Sequence, residues 1–227
     1  SDPDHAHHGE ERRQRTDQLL YSLPITTTQV VLGKYLALLV VYLIPLAVIS
    51  LYPLLFSQFG DVYLPTSYGS LFAFFMMGAA LLAVGMFLSS LTDNQGFAAG
   101  IGIAAILLNY YSVSLAEYTS STAMGSLIAL YVIALLLGVV IHNLTRNENL
   151  AYGVAFALIA ALSVAYFVNS SAFEGLLPDI MTKLSLFRQF NSFVNGAFDL
   201  TAIVYYVSVM GFFLFLSVQS MEKRRYN

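Results

Sequence analysis

Residues 32–56 read LGKYLALLVVYLIPLAVISLYPLLF, an apolar run whose single charge, Lys34, stands near its start. A helix covers roughly 30 Å of hydrocarbon with about 20 residues, so this run is long enough to cross a bilayer. Five more charge-free stretches follow, at 68–91, 96–115, 123–142, 150–168 and 200–219. Lys34 lies where its ammonium can snorkel to the interface. Hydrophobic residues are 58% of the chain and charged ones 10%, a balance that would leave a compact soluble domain with an apolar surface. The runs do not alternate apolar and polar residues as barrel strands would. The sequence therefore predicts an all-α, polytopic transmembrane helix bundle with six spans, a transmembrane domain over 32–220.

The cations give the orientation, because short cytoplasmic loops carry the excess of Lys and Arg. If the spans alternate, Arg12, Arg13, Arg15, Lys34, Arg146, Lys223, Arg224 and Arg225 share one side, and Lys183 and Arg188 fall on the other. Both termini are then cytoplasmic, including the tail at 221–227, and 57–67, 116–122 and 169–199 are external. The chain has no Cys, so it offers neither a disulfide framework nor a thiolate metal site. No polybasic run suggests nucleic acid. The first nineteen residues hold no apolar core of the kind a cleavable leader carries.

Between helices in lipid, close backbone approach supplies much of the attraction, so small residues four apart mark contact faces. Gly96, Gly100 and Ala104 form one such stripe, Ala157, Ala161 and Ala165 another, and Gly78 and Gly85 add small surfaces. Packing within the bundle is the expected use; a dimer interface or a translocation seam is the sharper alternative. Pro45 and Pro53 remove backbone donors and are expected to kink the first span. Within the external segment 180–198, residues 183–198 place Leu184, Phe187, Phe190, Phe193, Val194, Ala197 and Phe198 at helical spacing opposite Lys183, Arg188, Gln189, Asn191, Ser192 and Asn195. This predicts an amphipathic helix at or dipping into the outer interface, bent by Gly196 into a last span capped by Asp199.

No span carries a mid-depth ionisable residue, so neither an ion-coupled carrier site nor an intramembrane protease constellation is present in the pattern. Asn109, Tyr110, Tyr111 and Ser112 form the best polar cluster; they could line a cavity or hydrogen-bond between helices. His5, His7 and His8 stand with Asp2 and Asp4 in a polar stretch at 1–9, read as a flexible tail or expression remnant rather than a metal site. No catalytic residue, metal ligand or cofactor is expected, and with no phosphate-binding loop any energy source must lie in another subunit.

Residues 10–32 read EERRQRTDQLLYSLPITTTQVVL and enter the membrane through Gly33, Lys34 and Tyr35. Charges, a helix start at Thr16 and Asp17, apolar Leu19, Leu20 and Leu23, a break at Pro24 and a second helix opening at Thr26–Thr28 describe a short cytoplasmic helical hairpin over 10–31. Its apolar knob has no core of its own to fill. This segment resembles the coupling region of type-2 ABC exporter permeases: Glu10, Glu11, Arg12, Arg13, Thr16, Asp17, Gln18, Leu19, Leu20, Pro24, Leu32, Gly33 and Lys34 match that pattern, while Arg15 stands where many relatives have Gly. The closing residues 217–225 and the turn at 89–95 are similar to the gliding-motility-like branch.

The resemblance implies a permease subunit of an ATP-driven exporter in a bacterial inner (cytoplasmic) membrane, with one or more further spans ahead of the acidic–Arg motif. It implies two copies of an ABC ATPase as partners, a second permease copy or a related permease, and Glu11, Arg12, Arg13, Thr16, Asp17, Gln18, Leu19, Leu20 and Pro24 as the ATPase-coupling residues. The alternative is a non-transporting membrane scaffold or sensor whose hairpin recruits a cytoplasmic partner. Because the native chain lacks Cys, a single cysteine reports topology directly. Ser171→Cys is expected to react with an impermeant maleimide in intact cells; reaction only after permeabilisation would reverse the orientation.

Overall fold

The computed structural model describes residues 26–145 and 147–226. Its helices are α1 (Thr27–Ile49), short α2 (Tyr52–Phe56), α3 (Leu64–Ser90), α4 (Gln95–Ala116), α5 (Ala123–Thr145), α6 (Glu148–Val168), α7 (Leu176–Lys183), α8 (Leu186–Val194) and α9 (Leu200–Tyr226), with a 3-10 turn at Ser170–Phe173 between α6 and α7 and no strand among the described residues. Six segments are long and apolar enough to cross a membrane: Thr27–Phe56, Leu64–Ser90, Gln95–Ala116, Ala123–His142, Glu148–Val168 and Leu200–Lys223. The protein is a multi-pass membrane protein. Its outer surface carries many exposed large apolar side chains, Val40, Ile44, Leu108 and Phe156 among them, as lipid contact requires.

Local sequence explains where the helices start and stop. Thr26 caps α1 reciprocally with Gln29: the Thr26 hydroxyl accepts the Gln29 N–H, and the Gln29 amide oxygen accepts the Thr26 N–H. Asn94, Asn147 and Asp199 accept N–H groups in the first turns of α4, α6 and α9. Helix α1 runs unbroken through Pro45 and ends at Ile49, so the expected kink at Pro45 is not a break. The interruption falls at Ser50 and Leu51, just ahead of Pro53, which has no N–H to carry the helical ladder onward. Gly196, at φ 82°, turns α8 toward α9.

Helix α3 is the hub, with α9, α8, α4 and α1 all packed against it. Its inward stripe is Ala73, Met76, Met77, Ala80, Ala83 and Phe87. Helix α1 runs antiparallel to it and is fastened by three tyrosines: Tyr35 donates to the Ala79 carbonyl (2.8 Å), Tyr42 to Phe74 (2.8 Å), and Tyr68 reaches back to Ser50 at the break (2.9 Å). Such interhelical bonds contribute on average about 0.6 kcal/mol each in a bilayer. Helix α9 lies beside α3 with Phe87 against Phe213 and the Ser220 hydroxyl donating to the Ser90 carbonyl (3.1 Å). Helices α5 and α6 pair through Gly138, which meets Ala155, and through the Tyr131 and Ser163 hydroxyls, 2.5 Å apart. We call the face bearing the start of α1, Ser90 and Ser220 the lower face, and the opposite one the upper face.

The small-residue stripes differ from expectation. Gly96, Gly100 and Ala104, and likewise Ala157, Ala161 and Ala165, are exposed on the outside of this subunit. Helix α6 instead buries Ala151 and Ala155. Spacing marks where a backbone can approach closely, and the neighbour is chosen by the rest of the fold.

Gly78 carries the α1–α3 contact, because a Cβ there would overlap the Tyr42 ring, whereas a Cβ on Gly85 meets nothing within 4 Å. Gly78→Val is expected to lower the thermal midpoint of the detergent-solubilised protein, by overpacking worth about 1–3 kcal/mol. Gly85→Ala should leave it unchanged or raise it. Equal midpoints for Gly78→Val and wild type would contradict this packing.

Candidate functional site

Between α6 and α9 the chain folds back into the bundle from the upper face. Gly175, in the left-handed region at φ 68°, donates its N–H to the Ser121 carbonyl (2.8 Å) and leads into α7. The Leu177 N–H donates to the Ser126 hydroxyl (3.2 Å) in the first turn of α5. Helix α7 then packs beside α4, the chain turns at Leu184–Leu186, and α8 returns along α3, where the Ser70 hydroxyl donates to the Phe193 carbonyl (3.2 Å). The turn meets Asn109, Tyr205 and Tyr206, each about two helical turns inside the upper end of its own helix. The sequence pattern predicts one amphipathic helix starting at Lys183; the structure has two, of 8 and 9 residues, with the break at Leu184 and Ser185. At about 1.5 Å per residue neither is long enough to cross a bilayer, and together they make a short helical hairpin packed against α3 and α4. Ser185 makes the break, its hydroxyl accepting the Arg188 N–H (3.3 Å) as the N-cap of α8.

The break leaves backbone groups outside the helical ladders, and the bundle pairs them. Asn109 does so from both sides: its Nδ2 donates to the Leu184 carbonyl (3.2 Å) and its Oδ1 accepts the Leu186 N–H (2.9 Å), which together fix the orientation of the amide. The Tyr205 hydroxyl also donates to Leu184 (2.6 Å), the Tyr206 hydroxyl to the Leu186 carbonyl (2.6 Å), and the Ser185 hydroxyl to the Asn109 carbonyl (3.3 Å). Tyr206 is wholly buried and forms one apolar cluster with Leu186, Phe193 and Ala202 and with Ala73, Met76, Met77 and Ala80 of α3. Tyr205 and Tyr206 escape a reading of the sequence for charge; the legible signal is two adjacent phenols in an apolar span, where buried hydroxyls need partners.

Below the turn lies a cavity of about 440 Å³. Leu81 and Val84 of α3, Ala105, Ile106 and Asn109 of α4, Leu184 and Leu186, and Tyr205, Ser208, Val209, Phe212 and Phe213 of α9 line it. Its three polar side chains are already engaged, Asn109 and Tyr205 on the turn and Ser208 on the Val204 carbonyl (2.7 Å). No Asp, Glu, His, Lys or Arg lines it, and the one phenol, Tyr205, is held by the turn, so the arrangement suits binding of apolar matter. Of the polar cluster on α4, only Asn109 lines this space. Tyr110 sets its ring edge-on to Phe187 (5.1 Å, 90°) and to Tyr111 (5.0 Å, 84°), and the Ser112 hydroxyl donates to the Asn109 carbonyl (2.7 Å). No group of three or more His, Asp or Glu that could hold a metal occurs among the described residues.

Glu11, Arg12, Arg13, Thr16, Asp17, Gln18, Leu19, Leu20 and Pro24 lie outside the described residues, as do the tail at 1–9 and Arg146. What is described is the point where that segment joins the bundle, the Thr26 cap and the first turn of α1, with Thr27 and Val31 buried.

Residues 8–116 match the family described as ABC-2 family transporter protein. The matched range takes in the segment preceding α1 and helices α1 to α4; it does not distinguish the gliding-motility-like branch. No curated protein and no solved structure matches the chain.

Asn109→Leu is expected to leave the Leu186 N–H unpaired at a cost of about 1–3 kcal/mol and to raise hydrogen–deuterium exchange across 184–190. Ser112→Ala, which removes a bond within α4 alone, should leave that exchange unchanged. Wild-type protection in Asn109→Leu would mean that the amide does not hold the turn.

Proposed function

We propose, from the match of residues 8–116 to the ABC-2 family transporter proteins, that this chain is the membrane-spanning permease subunit of an ATP-driven export-type transporter. The observation that carries this reading is the span of the family match, which includes the 10–24 segment together with the helix it feeds. ATP hydrolysis resides in separate cytoplasmic ATPase subunits, two per transporter, and a second copy of this chain or a related permease completes the assembly. The lower face is cytoplasmic, as the cation distribution favours, and the hairpin of α7 and α8 lies on the outer side of a bacterial inner membrane.

In the proposed mechanism closure of the ATPases pushes Glu11–Pro24, and the push enters α1 through its capped start. Rigid-body transfer needs stiff elements and firm contacts. The Thr26–Gln29 box and the Tyr35 and Tyr42 bonds to α3 supply them, so that α1 and α3 move as a pair and take α8 and α9 along. A chain with no ionisable group at mid-depth suits a device whose energy is delivered mechanically from outside the membrane.

Leu19→Asp with Leu20→Asp tests the coupling role. Carboxylates forced into that contact without partners cost on the order of several kcal/mol. Membrane abundance should hold, because no span is altered, while co-purification of the partner ABC ATPase and its cargo-stimulated hydrolysis should fall. Unchanged pull-down and hydrolysis would remove 10–24 from the coupling role.

A further inference from the structure

We propose that the cavity beneath the Leu184–Leu186 turn is a binding site for one alkyl chain, supplied by a single-chain amphiphile. The proposal rests on the chain's membrane embedding and not on ATPase coupling. Three observations carry it. The walls are apolar, with Val84, Ile106, Val209, Phe212 and Phe213 contributed by three different helices. The polar side chains at its upper end are held by the hairpin and by α9 itself, so a hydrophilic cargo would have to break those bonds to gain any of its own. The size fits one chain: a cavity of about 150 Å³ accommodates a benzene ring, so 440 Å³ corresponds to roughly eighteen carbons. The two chains of a phospholipid would not fit together.

The site also has a direction. Its polar residues, Asn109 and Tyr205, lie toward the upper face, while Phe212 and Phe213 lie about two further turns down α9. A terminal methyl therefore points toward Phe212 and Phe213, with the polar end of the amphiphile toward the upper face, beyond the engaged side chains. All twelve residues that line the site belong to this one chain.

The test is photolabelling of the full-length protein in nanodiscs with a diazirine-bearing palmitate, with adducts mapped by peptide mass spectrometry. Labelling of Val209, Phe212 and Phe213 should saturate and be displaced by unlabelled palmitate, whereas Val40, 60% exposed on α1, should label without saturation. Ala105→Phe fills the space from α4 and Val209→Leu partly fills it from α9; the first should lower saturable labelling by about tenfold, as expected when overpacking opposes binding, and the second by less. Labelling at Val40 checks that each variant remains inserted. Non-saturable cavity labelling, or labelling indifferent to both substitutions, would overturn the proposal. So would equal saturable labelling by a diazirine phosphatidylcholine, which would assign the space to bilayer lipid.

Discussion

The Leu184–Leu186 turn places unpaired peptide groups inside the bundle, and the bonds from Asn109, Tyr205 and Tyr206 are what permit it to stay there. A helix satisfies its own backbone, and so can lie in lipid without help; a break cannot. Every other feature of the upper half depends on this solution. The turn forms the roof of the cavity, sets α8 against α3, and brings Leu186 and Phe193 into the same buried cluster as Tyr206. Without the carboxamide the hairpin would have to slide outward until water reached its backbone, taking the roof of the cavity with it.

The lower half is organised around the same helix by different means. Tyr35 binds the backbone of α3 from the side below its midpoint and Tyr42 just above it, and the Ala-rich stripe of α3 lets α9 approach closely. One helix thus carries α1 on one flank and the hairpin and α9 on others. This geometry matters for the proposed mechanism: a displacement entering at Thr26 has a short, packed route to the cavity, through α1 to α3 and from α3 to α8. The two halves share α3, so motion in one need not be relayed by loops.

The spans were legible because bilayer thickness fixes their length and lipid fixes their composition, and both constraints act on each segment alone. The caps at Thr26 and Asp199 and the bend at Gly196 were legible for the same reason, since their partners lie within a few residues. The hairpin was not. Helical periodicity continues through Leu184, and the fact that Ser185 starts a second helix depends on Asn109, more than seventy residues earlier. Asn109 itself stood out as a polar residue in an apolar span, but its role is defined by a partner that periodicity cannot name. The outward-facing stripes of α4 and α6 show the converse, a pattern that states how a surface could pack without stating whether this subunit uses it.

The central structural claim is that the chain between α7 and α8 turns within the membrane. A nitroxide on Leu184→Cys, a position exposed enough to carry a label, measures this directly through the ratio of its collisions with oxygen and with a water-soluble nickel chelate in a reconstituted bilayer. The account predicts a depth matching that of a label on Leu108, about two turns inside the upper end of α4. A depth at the headgroups, matching that of a label on Ser171, would mean that the hairpin lies on the membrane rather than in it, and would contradict the account.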